Sequence, residues 1–257
     1  EISACLVGSE MCIRDRLVGT LALTANHKVA FSYSEEWLEH GFSVSPFSLP
    51  LKNEVFVPKK DYFDGLFGVF ADSLPDAWGQ LLLERLLKER GKKEAQYSVL
   101  DRLAIVGKSG MGALTYHPQK EIGMGQQMDD LDELSVHCQK ILSTQYSEKL
   151  DELYRLGGTS GGARPKIMTE IDGENWIIKF PAHVDKKDVG KMEYDYSLCA
   201  KACGMVMTEI RLFSSDICPG YFGTKRFDRR INKKGTYVNR GCLIGVSIIN
   251  QVWTIMN

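Results

Sequence analysis

The sequence predicts an α+β fold in two parts, a β-rich N-terminal module packed on a smaller mixed lobe. Between Leu17 and Phe31, apolar residues alternate around an Asn26-His27 turn, as a hairpin requires. Leu82, Leu83, Leu86 and Leu87 recur at helical spacing. A glycine-rich run ending at Gly162 is followed by two short apolar segments joined at Asp172-Gly173, a tight-turn pair. With 257 residues, 44% of them hydrophobic, the chain can bury one large core or two modest ones.

The elements follow in order. After the hairpin, Ser34-Glu35-Glu36-Trp37-Leu38 reads as a short capped turn, and Phe47–Leu51 as an extended segment that Pro50 keeps out of a central strand. The next helix has Ser73 as its cap, Pro75 and Asp76 in its first turn, the leucine stripe on one face and Gly91 as its stop. A shorter helix over 98–106 runs into Gly107-Lys108-Ser109. A phosphate-binding Walker A loop would need glycine where Arg102 stands, so this reads as a turn. Residues 123–128 read as a linker, which places a boundary near residue 125. Helices over 129–143 and 147–156 feed the glycine run, strands follow at 165–171 and 174–181, and a helix over 187–203 closes at Gly204.

Composition narrows the function classes. Thirty-two basic and 33 acidic residues leave a net charge of -1, so no bulk field draws this chain to nucleic acid. No uninterrupted apolar stretch reaches the ~20 residues that cross a bilayer, so no membrane association is expected and cytoplasm is the default location. Seven scattered cysteines, an odd number, do not form a disulfide framework, and reduced thiols are expected. Cys199 and Cys203 lie one helical turn apart without a second matching pair, which favours core packing over a metal. The five histidines are dispersed and outline neither a metal site nor a Ser/His/Asp set.

The chemistry concentrates in Leu156-Gly157-Gly158-Thr159-Ser160-Gly161-Gly162-Ala163-Arg164-Pro165-Lys166 and in Trp176-Ile177-Ile178-Lys179-Phe180-Pro181. Glycines and hydroxyls free a backbone to turn successive N–H groups toward one anion. Lys179 lies in an otherwise apolar strand, where an ammonium is costly to desolvate without a negative partner. Each feature alone has a plain reading, a mobile turn or a solvent-facing lysine. Together they give loop, strand, hairpin and lysine strand, the pattern with which a protein-kinase-like small lobe holds nucleotide phosphates. Glu193, on the following helix, is either the partner of Lys179 or a solvated surface residue.

Four segments carry a resemblance: residues 63–76 (Phe63-Asp64-Gly65 to Ser73-Leu74-Pro75-Asp76), Gly162-Ala163-Arg164-Pro165-Lys166, Ile177-Ile178-Lys179-Phe180-Pro181 and Arg226-Phe227-Asp228-Arg229. In this order, from about Leu17 to Arg230, the chain resembles HipA-like serine/threonine kinases, the toxins of bacterial toxin-antitoxin pairs. The resemblance implies a HipA-like N-terminal module over 17–125 and a helical linker with a kinase-like nucleotide-binding lobe over 126–233. It implies ATP and Mg2+ as cofactors. Gly161, Gly162, Ala163, Arg164 and Lys166 would belong to the phosphate loop, Lys179 would meet the phosphates, and Lys225 to Phe227 would touch adenine. Ser160, or Thr159 beside it, would be the site of inhibitory autophosphorylation, adding about two negative charges where ATP phosphates must sit. The implied partners are a HipB-like helix-turn-helix antitoxin, with DNA met only through it, and a protein substrate of the aminoacyl-tRNA synthetase kind.

The sequence departs from that family at both ends. The catalytic Asp and the metal-binding residues of the family lie beyond the hinge, whereas the residues after Arg230 contain no Asp or Glu to act as base or Mg2+ ligand. No catalytic residue is therefore assigned, and the chain alone is expected to be inactive. Residues 234–257 read as a divergent tail, with Cys242–Trp253 apolar, β-branched and uncharged, as a frameshifted or truncated end would be. Ser9–Arg16 resembles translated adapter read-through, so residues 1–16 are expected to be a non-native tail outside the fold. Two other functions stand beside the kinase: a noncatalytic antitoxin-binding module or kinase remnant, and a small-molecule phosphotransferase.

Overall fold

A computed structural model describes residues 8–13, 15–75, 77–91, 97–120, 130–160, 162–231 and 237–239. The architecture is α+β, with two antiparallel four-stranded sheets. The chain forms two compact units, one of Glu1–Leu74, Ala95–Glu121 and Arg230–Asn257, the other of Pro75–Glu94 and Ile122–Arg229.

In the first unit, β1 (Ser9–Ile13), β2 (Arg16–Leu23), β3 (Val29–Tyr33) and β4 (Leu114–His117) form a sheet in the order β3-β2-β1-β4. The alternation around Asn26-His27 produces the β2–β3 hairpin, with Leu21 opposite Phe31. Strand β1 corrects, for residues 9–13, the expectation of a tail outside the fold; residues 1–7 fall outside the described residues. The strand pairs with β2 on one side and β4 on the other, and Met11 is fully buried, because Met11 and Ile13 carry the same period-two signal as their neighbours. Met11, Leu21, Phe31, Phe70, Leu103 and Tyr116 centre the core. Around it stand α1 (Glu35–His40), capped by Ser34, α2 (Gly68–Ala71) and α4 (Val99–Val106). Helix α4 opens on a reciprocal Ser98–Asp101 capping box. Gly107-Lys108-Ser109 forms a turn after it. Phe47 and Ser48 lie in a tight turn closed by Leu49 N–H on Ser45 O at 2.7 Å, where an extended segment is expected.

The second unit begins at Pro75, so the boundary expected near residue 125 does not hold for the leucine-striped helix α3 (Ala77–Glu89). Its Trp78 indole donates to Lys166 O at 3.3 Å, and Arg90 pairs with Asp151 at 2.6 Å. Helix α3 begins at Ala77, four residues after Ser73. The Ser73 Oγ accepts from the buried Tyr116 hydroxyl at 2.8 Å, within the first unit. Asp76 and the 123–128 linker fall outside the described residues. Helices α5 (Leu131–Leu142) and α6 (Leu150–Gly157) lead to β5 (Lys166–Ile171) and β6 (Glu174–Lys179). Asp172 and Gly173, at φ 55° and 75°, make the two-residue turn between these strands. Helix α7 (Val189–Ala202) follows, ended by Gly204 at φ 84°, then β7 (Ile210–Phe213) and β8 (Tyr221–Lys225). The sheet order is β5-β6-β8-β7, so the lysine strand is interior. A two-stranded ribbon of β9 (Arg229–Ile231) and β10 (Tyr237–Asn239) comes last.

Cys12 and Cys138 are buried, whereas Cys199 and Cys203 are exposed on α7. The core-packing expectation fails for that pair because α7 buries only Gly190 and Ser197. Among the described residues, no helix is long and apolar enough to cross a membrane.

Candidate anion site at the glycine loop

Lys179 ends β6 and lies directly opposite Lys166 of β5. Opposed residues of an antiparallel pair project from the same sheet face, so two ammonium groups share one surface, a destabilising arrangement without negative charge nearby. Lys179 is salt-bridged to Glu193 of α7, and its Nζ stands 5.3 Å from the centre of the Phe222 ring on β8. The helix after the lysine strand thus supplies the carboxylate, which decides between the two readings of Glu193. Lys166 is only 7% exposed, and a Cβ added to Gly162 would come within 2.5 Å of its Nζ, so this ammonium lies immediately against the loop.

The glycines serve two distinct purposes. Gly162 takes φ 95°, a left-handed conformation that favours glycine. Gly157 and Gly158 are packing glycines: a Cβ on Gly157 would be 2.2 Å from Lys166 O, and one on Gly158 would be 2.5 Å from Tyr154 O. The N–H groups of Gly158 and Ser160 are taken by the carbonyls of Tyr154 and Gly157. Ser160 is fully buried, its hydroxyl donating to Gly157 O at 2.6 Å, and Thr159 is buried beside it. Modification of either requires this turn to open. Gly161 lies outside the described residues, and Ala163 is exposed.

Arg164 projects from the loop, 59% exposed, yet its fork is engaged: Nε donates to Asp185 Oδ2 at 2.8 Å and Nη2 to Oδ1 at 2.6 Å. Asp185 is 7% exposed and accepts from Ala182 N at 2.9 Å, and Arg164 holds its carboxyl down at about 2. The guanidinium also feels Glu193. Three cations, Arg164, Lys166 and Lys179, therefore stand with two carboxylates around the loop, a donor set suited to a multiply charged anion.

The segment expected at adenine begins at Lys225, the last residue of β8. Lys225 is paired with Glu174 at 2.8 Å and with Glu209 at 3.6 Å, and Glu174 raises its ammonium above the ordinary value. Phe227 is 57% exposed. Between them Arg226 makes a buried fork with Asp228 at 2.9 and 2.7 Å. Strand β8 is tied to α5 by Asp132, which accepts from Tyr221 OH at 2.7 Å, Ser215 Oγ at 2.6 Å and Asp216 N at 2.8 Å. Burial pushes the Asp132 carboxyl up, but these hydrogen bonds together bring it below its ordinary value. Sequence reasoning missed Asp185 and Asp132, since both meet partners far along the chain with no periodic signal. Among the described residues, no group of three or more His, Cys, Asp or Glu side chains is placed to hold a metal.

Comparison with protein families assigns this architecture. The HipA N-terminal domain matches residues 9–117, and the HipA-like C-terminal domain matches residues 158–246. The chain is a HipA-like protein. No curated protein matches it. In this HipA-like chain the N-terminal match begins inside the segment expected to be a tail, in agreement with β1. The C-terminal match passes Arg230 and enters the segment 234–257 that reads as divergent. It also begins at the last turn before the glycine loop, so loop, lysine pair and Glu193 all fall within one family domain.

Proposed function

We propose that this HipA-like chain carries the N-terminal module and nucleotide lobe of an ATP-dependent serine/threonine protein kinase of the toxin type, paired with a HipB-like antitoxin and acting on a protein substrate. The observation that carries the reading is the Lys179–Glu193 pair beside the glycine loop, with Lys166 opposed on the same face. A lysine strand followed by a helix whose glutamate meets that lysine is the arrangement with which kinases orient nucleotide phosphates. The strand order, with the lysine strand interior beside β8, supports the same reading. ATP with Mg2+ would be held by the loop from Gly162, by Lys166 and by Lys179, with Lys225 to Phe227 toward the base, and would supply the transferable phosphoryl group. The chain's own contribution is charge placement. Lys179 is oriented by Glu193, Lys166 is fixed against the loop, and the loop backbone is bent at Gly162. Contact with operator DNA would come only through the antitoxin.

Titration calorimetry with ATP–Mg2+ tests this on the wild-type chain, Lys179→Ala and Glu193→Gln. Loss of a charge-assisted phosphate contact is expected to weaken binding about tenfold or more for Lys179→Ala. Equal affinity of wild type and Lys179→Ala would remove the reading. No nucleotide binding by wild type, together with antitoxin capture that survives Lys179→Ala, would select the noncatalytic binding module instead.

A further inference from the structure

The Arg164–Asp185 fork ties the C-terminal end of the glycine loop to the segment after β6, and Asp185 is held by more hydrogen bonds than that ion pair alone. Asp185 lies in a turn closed in both directions: its N–H donates to Ala182 O at 2.9 Å and its Oδ2 accepts from Ala182 N at 2.9 Å. The preceding residue pair is anchored too, with Pro181 O accepting from Gln139 of α5 and Phe180 N donating to Pro165 O at 2.9 Å. The carboxylate is thus fixed to the exit of β6, six residues past Lys179, while the guanidinium rides on the loop. Both carboxylate oxygens receive a hydrogen bond, and the Nε–Nη2 edge, one of the two edges with which a guanidinium binds an anion in bidentate fashion, is taken. A guanidinium committed in this way acts first on the loop that carries it.

We infer that Asp185 is a positioning residue for the glycine loop, holding Arg164 as a strut between the end of the loop and the exit of β6 so that Arg164 fixes the loop's position and leaves phosphate contact to the lysines. This role rests on the nucleotide reading above for its purpose, and on geometry alone for its existence. Arg164 as a phosphate ligand and Arg164 as a strut make opposite forecasts for removal of Asp185. A ligand is released by that change, and anion binding holds or improves. A strut is broken by it, the loop opens and anion binding weakens.

The test is a double-mutant cycle on the whole chain with Arg164→Gln, the isosteric Asp185→Asn, both together, and the exchanged pair Arg164→Asp with Asp185→Arg. Two quantities are read: amide hydrogen exchange from Gly158 to Arg164 without nucleotide, and ATP–Mg2+ affinity. Each single change is expected to speed loop exchange and weaken ATP–Mg2+ about fivefold, near the upper range for an exposed pair. The double change is expected to cost no more than either single one, and the exchanged pair to restore part of the loss. Unchanged loop exchange in Asp185→Asn, with unfolding temperature retained, would overturn the strut. So would loop opening that leaves ATP–Mg2+ affinity intact, or Asp185→Asn binding as wild type does while Arg164→Gln does not. If wild type binds no ATP–Mg2+, the nucleotide reading falls while the exchange measurement still decides the strut.

Discussion

Replacing Gly157 by alanine sets helix propensity against packing, and the structure says which wins. Gly157 ends α6, where alanine is intrinsically better by up to about 1 kcal/mol. Its added Cβ, however, would stand 2.2 Å from Lys166 O and 3.2 Å from Trp78 Nε1. The first neighbour is backbone at the start of β5, so helix and strand must separate by roughly 1 Å to reach ordinary contact. Overpacking of this kind costs about 1–3 kcal/mol, and the 3.3 Å bond from Trp78 to the same carbonyl is lost for about 1 kcal/mol more. A net destabilisation of about 1–3 kcal/mol is expected, which for a chain of this size lowers Tm by about 2–12 °C. Gly91→Ala is the comparison: it has φ 66° and, among the described residues, no atom within 4 Å of an added Cβ, so the left-handed penalty of about 1 kcal/mol is what applies. Thermal unfolding followed by circular dichroism measures both. A Gly157→Ala protein that melts at or above the wild-type temperature would refute the packing argument.

Further outcomes follow from single residues. Tyr154→Phe is expected to be neutral or to stabilise by up to about 1 kcal/mol in urea unfolding, because the buried Tyr154 hydroxyl has no hydrogen-bond partner among the described residues. A loss above about 2 kcal/mol would mean that the hydroxyl is satisfied. Ser98→Ala removes the capping box of α4 and should cost about 1 kcal/mol by the same measurement. The Asp185 carboxyl lies lower in the folded state than its ordinary 3.8, so the unfolded chain takes its proton first. The stability it contributes is complete above about pH 4 and is lost as pH falls toward 2. Acid titration of wild type should show that loss and Asp185→Asn should lack it; identical acid curves would contradict the pairing. Finally, changing both Cys199 and Cys203 to serine should remove two fast-reacting thiols in a titration with an aromatic disulfide, whereas Cys138→Ser should remove none before unfolding.

Much of the fold was legible where the signal is local. Alternation around Asn26-His27 and the Asp172-Gly173 pair each act within a few residues and each produces the element it predicts, and α4 lies within the 98–106 span expected to be helical. The Lys179–Glu193 contact was legible only as one of two readings, since the order of strand and helix brings Glu193 into question as a partner without excluding solvent, and the structure selects the pair. What stayed hidden depends on tertiary neighbours. The leucine stripe of α3 announces an apolar face but not the unit that covers it, so Pro75–Glu94 was misassigned. Gly157 and Gly158 look like loop flexibility, yet their partners are Lys166 O and the Tyr154 side chain and carbonyl. Ser73 has the chemistry of a cap and is used instead by Tyr116, a strand residue 43 positions away. Arg164 has the chemistry of an anion ligand and meets a carboxylate 21 positions on.

The interior position of β6 also governs which length changes this region can absorb. The turn at Asp172 and Gly173 is exposed, with open space around Gly173, so residues added there only lengthen the end of a ribbon. Between Glu174 and Lys179 the strand is paired with β5 on one edge and β8 on the other. A single residue gained or lost in that stretch would rotate Lys179 to the opposite face of the sheet, away from both Lys166 and Glu193. Natural length variation among related chains is therefore expected to collect at the hairpin tip and to spare the six residues that follow it.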